Sequence, residues 1–241
     1  MKFDNPAGRL FEVLNKVKKY PPSSQARLVW RETFELPAAD QLSPLMTAKI
    51  ATTMLLIQQS LELLNEEHPE LADHPPAWAS QVSSAFQAHN MHGDIAGFVG
   101  SITAETLSSV LMTAALLDKG SNRKALSAEQ LVEMREAIAT VLDEVLDSTD
   151  LETDLKIYVA RSLRKILAAI DEYKLTGATP ILESIEQAVG HAMVDPKYRN
   201  FLTDTQLGQR VFDAFQTASA IVTVATGMPQ LTSAVQMLLA A

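Results

Sequence analysis

The sequence predicts an all-α protein, a single bundle of about nine to eleven helices with no β-sheet. The clearest sign is the stretch from Asp150 to Thr176, where apolar residues recur at steps of three or four. That is the period of an α-helix with one continuous apolar stripe, which no strand could hold on one face. The stripe consists of Leu151, Leu155, Val159, Leu163, Ile166, Ile170 and Tyr173.

Composition supports the same class. Leu, Ala, Glu, Gln and Met dominate over Val, Ile and Tyr, and aromatic residues make up only 6% of the chain, a bias that favours helices over sheets. A length of 241 residues with 47% apolar content is typical of one large globular domain or two small ones. We predict one domain over residues 1–241. The proline-rich, charged stretch 66–76 is the alternative point of subdivision.

Five helices are predicted in the N-terminal half, over about residues 6–19, 24–36, 44–66, 78–88 and 103–118. Asn5 before Pro6 and Ser43 before Pro44 each supply an N-cap and a first helical residue. The glycine-containing stretch 89–101 is expected to be a loop or a broken helix. The inward stripe expected for the third helix is Leu45, Ile50, Met54, Ile57, Leu61 and Leu64.

Five more helices are predicted in the C-terminal half, over about residues 127–147, 150–176, 180–193, 204–226 and 229–241. Ser127 and Gln130 have the spacing of a capping box, and Gly177 is placed to end the long helix. Asp195 and Pro196 read as a turn.

The C-terminal stretch 216–241 contains no charged residue. A membrane hairpin is one interpretation. However, the break at residues 227–229 leaves two segments far shorter than the roughly 20 residues that span a bilayer. We therefore expect no membrane association, with a membrane-active C-terminus as the alternative. A helix pair in the core, or at the interface of a homo-oligomer, is the favoured interpretation.

Charge and cysteine content exclude several classes of function. The chain has no cysteine, so disulfides, thiolate metal sites and a cysteine nucleophile are excluded. The formal net charge of −9 disfavours nucleic acid, whose affinity for proteins comes largely from cations that neutralise phosphates. An acidic surface suits a basic protein partner. The N-terminus lacks the apolar core of a signal peptide, so we expect a cytoplasmic protein.

The run from Glu129 to Asp154 holds nine acidic residues and one basic residue, Arg135. Catalytic carboxylates usually need a partly desolvated cleft, and the pattern places most of these on the polar side of a helix. We therefore assign no catalytic residue and interpret the acids as a docking surface, with a plainly solvated face as the alternative. The candidate partner-binding residues are Glu133, Glu136, Asp143, Glu144, Asp147 and Asp150.

A metal site is the alternative chemistry. His89, His92 and Asp94 offer two imidazoles and a carboxylate, which suit zinc or iron. No third strong ligand is fixed by spacing, and the chain has no HExxH motif. We therefore expect no cofactor and keep this set as a minority hypothesis.

Two segments resemble a group of uncharacterised all-helical bacterial proteins. One is Asn5-Pro6 with Arg9 and Leu10, followed by Trp30, and the other is the segment 168–190 with its helix end, glycine turn and short helix. The resemblance implies an all-helical bacterial protein and no particular chemistry.

The sequence therefore predicts a non-enzymatic, soluble helical protein that binds another protein. An immunity or antitoxin-like role, in which it neutralises a basic toxin or nuclease domain, fits the size and the acidity. The alternative is a helical metal-dependent enzyme with its site near His89, His92 and Asp94.

Overall fold

The computed structural model describes residues 3–38, 44–119 and 124–226. These residues contain twelve α-helices and no strand, which confirms the all-α class; the number of helices is slightly above the predicted range. The chain forms two compact units, Met1–Ser121 and Asn122–Ala241. The stretch 66–76 lies inside the first unit, and the assignment of a single domain stays a prediction.

The first unit contains six of these helices. They are α1 (Pro6–Val17), α2 (Ala26–Thr33), α3 (Pro44–Glu67), α4 (Ala77–Gln87), α5 (Ala96–Ser101) and α6 (Ala104–Asp118). Helix α1 packs against α3 and α6. Asn5 begins α1 as predicted, because its Oδ1 accepts a hydrogen bond from the Gly8 N–H. Its Nδ2 donates to the Ala114 carbonyl at 2.9 Å, so the same side chain also ties α1 to α6.

The predicted inward stripe of α3 is partly wrong. Leu45 and Met54 are 46% and 37% exposed, whereas Thr53 and Ser60 are fully buried. The Thr53 hydroxyl donates to the Lys49 carbonyl, and the Ser60 hydroxyl donates to a carbonyl one turn earlier in the same way. A hydroxyl that is satisfied by its own helix can lie in a core at little cost. Apolar periodicity alone therefore misplaced the buried face.

The second unit contains the other six helices. They are α7 (Ala128–Asp147), α8 (Thr153–Asp171), α9 (Tyr173–Thr176), α10 (Thr179–Gly190), α11 (Pro196–Asp204) and α12 (Gln206–Thr226). Helices α7, α8, α10 and α12 pack in a ring, each against the next, around a core of mainly aliphatic side chains. This packing buries the stripe of α8 from Val159 to Ile170, as its spacing predicts.

Two elements of the second unit differ from the prediction. The stretch 150–176 is two helices, since α8 begins at Thr153 and ends before Glu172; Gly177 then ends α9 with a φ of 77° that favours glycine. The turn expected at Asp195-Pro196 is the start of α11, where the Asp195 carboxylate accepts from the Lys197 and Tyr198 N–H groups. The helix predicted over 229–241 lies outside the described residues.

Candidate functional site

An open groove of about 810 Å³ runs between α7 and α12 in the second unit. Its floor is apolar: Ala137 and Val141 come from α7, and Ala214 comes from α12. Val132, which is 52% exposed, also lines it. Because an exposed valine gains by contact with another apolar side chain, the floor can hold an apolar anchor from a ligand.

Charged side chains line the groove and give it a strong negative balance. Five lining residues are acidic and one is basic, a balance of −4. The acids are Glu129, Glu133, Glu136, Glu144 and Asp213, and the base is Arg210. Cationic groups of a ligand would therefore be attracted to this groove.

One ion pair joins the two helices of the groove. The Arg210 Nε lies 2.8 Å from the Glu144 Oε2, and both side chains are partly exposed, so the pair adds little to stability. Glu133, Glu136 and Asp213 make no ion pair with any described residue. These three carboxylates are available to an incoming cation.

Local sequence signals fix the start of α7 and therefore the position of its acids. Ser127 and Gln130 form the predicted capping box, with both reciprocal hydrogen bonds present. A hydrogen bond from its own backbone N–H, and a second from Ser127, hold the pKa of Glu129 below its usual range. Just before the box, the Leu126 N–H donates to the Tyr173 hydroxyl at 2.7 Å, which anchors this end of α7 to the core.

The structure brings together three of the six predicted partner-binding residues. Glu133, Glu136 and Glu144 line the groove. The other three candidates, Asp143, Asp147 and Asp150, are exposed but lie outside it. Helical periodicity placed most of the six on the polar side of α7, and only the packing of α12 separates the two sets.

Sequence reasoning missed the contribution of α12 and the apolar floor. Arg210 and Asp213 come from a helix about 70 residues further along the chain, and no local pattern pairs them with α7. Val132 carried one signal that was not used, since it lies one helical turn from Glu129 and Glu136 on an otherwise polar face. A single exposed valine is normal on a protein surface, so this signal gains meaning only beside the apolar floor of the groove.

The minority metal set does not assemble into a ligand cluster. Among residues 3–38, 44–119 and 124–226, no group of three His, Asp or Glu side chains is arranged to hold a metal ion. The Nε2 of His89 accepts a hydrogen bond from the Trp30 Nε1 at 2.7 Å, and its ring contacts Trp30 and Phe98. The Asp94 carboxylate accepts the N–H of Ala96. In this structure His89 therefore belongs to an aromatic cluster.

A second histidine lies in an aromatic cluster of the other unit. The His191 ring stacks on Tyr158 with 4.0 Å between ring centroids, and its Nε2 lies 3.4 Å from the Asp195 Oδ2. Burial raises the pKa of the neighbouring Tyr198 far above its ordinary value. Tyr198 is therefore held in its neutral form, and His191 is packed against an aromatic ring. Together these residues form a structural cluster at the junction of α10 and α11.

The described parts of the chain contain no helix that combines the length and the apolar character needed to cross a bilayer. No family model, no curated protein and no solved structure matches this chain. The groove and its charges are therefore the basis for the proposal below.

Proposed function

We propose that this protein is a non-enzymatic binding protein that takes a basic, amphipathic segment of another protein into the groove between α7 and α12. The observation that carries this proposal is the coincidence of an apolar floor with a balance of −4 in one groove. Val132 adds an exposed apolar side chain beside these carboxylates.

The mechanism has two stages. The negative field of the groove first attracts the basic segment and raises the association rate, an effect that salt weakens. Lysine or arginine side chains of the partner then pair with Glu133 and Glu136, while an apolar side chain displaces water from Val132 and Ala214. An amphipathic helix laid into a groove uses this combination of anchors and charges.

The acidic groove also indicates which class of partner the protein would neutralise. Nucleases and other proteins that act on phosphates carry basic surfaces, because cations supply most of their affinity for nucleic acid. An acidic groove that occupies such a surface competes directly with the phosphate substrate. We therefore propose an immunity or antitoxin-like role, in which binding covers the working surface of a basic toxin or nuclease domain.

A pair of charge-reversal variants on one helix tests the groove. Glu133→Lys/Glu136→Lys changes two lining residues, whereas Asp143→Lys/Asp147→Lys changes two exposed acids of α7 outside the groove. Both variants alter the net charge of the protein equally. The probe is a fluorescently labelled synthetic amphipathic peptide of leucine and lysine, and its affinity is measured by anisotropy at low salt.

We expect the groove variant to bind the peptide at least about tenfold more weakly than the wild type, which corresponds to about 1.4 kcal/mol. The control variant should lose clearly less affinity, because its charges act only at a distance. Equal losses in both variants would show that only net charge matters, and the groove would then have no role.

A further inference from the structure

A basic patch lies on the other side of α7, where this helix packs against α8. We define the basic patch as Leu146 of α7 with Lys156, Ile157, Arg161 and Arg164 of α8, which line a pocket of about 380 Å³. No residue lines both this pocket and the acidic groove. The second unit therefore carries an acidic site and a basic site on different flanks of one helix.

The basic patch has the chemistry of a ligand for the groove. Ile157 is 51% exposed and would serve as an apolar anchor. Arg161 and Arg164 are exposed and make no ion pair with any described residue. Lys156 is partly buried and donates to the Ser148 carbonyl at 2.8 Å, so the two arginines are the mobile charges of the patch.

The spacing of the charges also matches. Arg161 and Arg164 are three residues apart on one helix, as are Glu133 and Glu136 on the other. At a rise of 1.5 Å per residue, each pair is separated by about 4.5 Å along its helix axis. Two arginine–carboxylate pairs can therefore form together, and arginine suits this role because its planar fork matches a carboxylate.

We propose that the basic patch of one copy of this chain docks into the acidic groove of a second copy. This inference rests on the proposed function, because it gives the groove one particular occupant. The two sites cannot meet within one copy, since α7 packs against α8 on one side and α12 on the other. The association is consequently head to tail, and it extends into longer oligomers unless the rotation between copies closes a ring.

Two variants block opposite halves of this interface. Arg161→Gln/Arg164→Gln removes the charges of the basic patch and keeps the groove, whereas Glu133→Gln/Glu136→Gln removes charges of the groove and keeps the patch. At low salt the mass of the wild type, measured by sedimentation, should rise with concentration, and high salt should reverse the rise. Each variant alone should stay monomeric. Their mixture should form a one-to-one dimer and no larger species, because only one functional interface remains.

A control variant, Lys124→Gln/Lys165→Gln, changes charge by the same amount as the patch variant at exposed lysines outside the patch, and it should associate like the wild type. Wild-type protein that keeps a monomer mass at every concentration would overturn self-docking. So would a patch variant that still associates. The leucine–lysine peptide separates the two proposals. Groove-dependent peptide binding by a monomeric wild type overturns self-docking alone. Absent peptide binding by the patch variant, whose groove no second copy occupies, overturns the proposed function.

Discussion

The two units of this protein are stabilised in different ways. Among the described residues, the first unit buries eight polar or charged side chains, including Asp4 and Arg9, whereas the second buries three and none of them is charged. Both tryptophans lie in the first unit, and each indole N–H has a partner: Trp30 donates to His89 and Trp78 to Thr113. The second unit relies on aliphatic stripes instead.

The two units therefore differ in whether charged residues are buried or exposed. Buried polar contacts demand strict geometry and penalise the loss of one partner heavily. The first unit should therefore be sensitive to single substitutions inside it. The second unit keeps its charges on the surface, where they contribute little to stability and are available for binding. Its two charged sites, the groove and the basic patch, agree with that division.

The largest contrast should come from one ion pair in each unit. Arg9 and Asp4 lie 2.8 Å apart with side chains only 8% and 5% exposed, whereas the pair of Lys197 and Glu152 is open to solvent. Asp4→Ala should cost about 3–5 kcal/mol, because it removes one partner of a buried ion pair. Glu152→Ala should cost less than about 1 kcal/mol. Urea unfolding measured by circular dichroism compares them, and equal losses would contradict the contrast.

Each unit also has a glycine where a backbone passes closely. A Cβ on Gly208 would lie 1.8 Å from the Phe201 carbonyl oxygen, and one on Gly8 would lie 2.7 Å from the Phe3 carbonyl oxygen. Gly208→Ala should therefore cost about 3 kcal/mol, and Gly8→Ala less, since a smaller shift relieves its contact.

The controls for these substitutions are glycines with free space. Nothing lies within 4 Å of a Cβ on Gly190 or Gly97, and alanine there should be neutral or stabilising by up to about 1 kcal/mol because of its helix propensity. Thermal unfolding ranks the four variants. A Gly208 variant as stable as the Gly190 variant would refute the close approach of α11 and α12.

Two tyrosines of the second unit test whether its few buried polar groups matter. The Tyr173 hydroxyl accepts the Leu126 N–H at 2.7 Å, whereas the buried Tyr198 hydroxyl has no hydrogen-bond partner among the described residues. Tyr173→Phe should cost about 1–3 kcal/mol, because it strands a buried N–H. Tyr198→Phe should be neutral or stabilising. Chemical denaturation measures the unfolding free energy of both variants. If Tyr198→Phe were the more destabilising of the two, the assignment of these hydroxyls would be wrong.

The smallest effect should be the pH dependence that His89 gives to the stability of the first unit. Burial lowers the pKa of His89, so the unfolded state binds the proton more readily than the folded state. The stability that neutral His89 contributes is fully present above the pKa of the unfolded state, about 6.5. It is lost as the pH falls from there through the lower pKa of the folded state. Protonation of Nε2 also removes the acceptor for Trp30.

Tryptophan fluorescence measures this effect selectively, since Trp30 and Trp78 both report on the first unit. His89→Gln keeps an acceptor that does not titrate in this range, so its unfolding free energy should vary less with pH than that of the wild type. An identical pH dependence in both proteins would assign the effect to other groups.

Local signals predicted most of the helices. The caps at Asn5 and Ser127 fixed the starts of α1 and α7, because a cap is a contact among neighbouring residues. Asp195 with Pro196 offers the same signal as Asn5 with Pro6. The prediction of a turn at this position was therefore an avoidable error.

The sequence by itself determined the helical class, most helix boundaries and the acidic character of α7, since these depend on residues within one or two turns of each other. Only the tertiary structure decided which side of α3 is buried, because Thr53 and Ser60 satisfy their hydroxyls within the helix while Leu45 and Met54 stay 46% and 37% exposed. It also decided that Glu133 and Glu136 belong to a groove and Asp143 does not. That distinction depends on α12, whose position follows from packing across the whole unit and leaves no mark in the local sequence of α7.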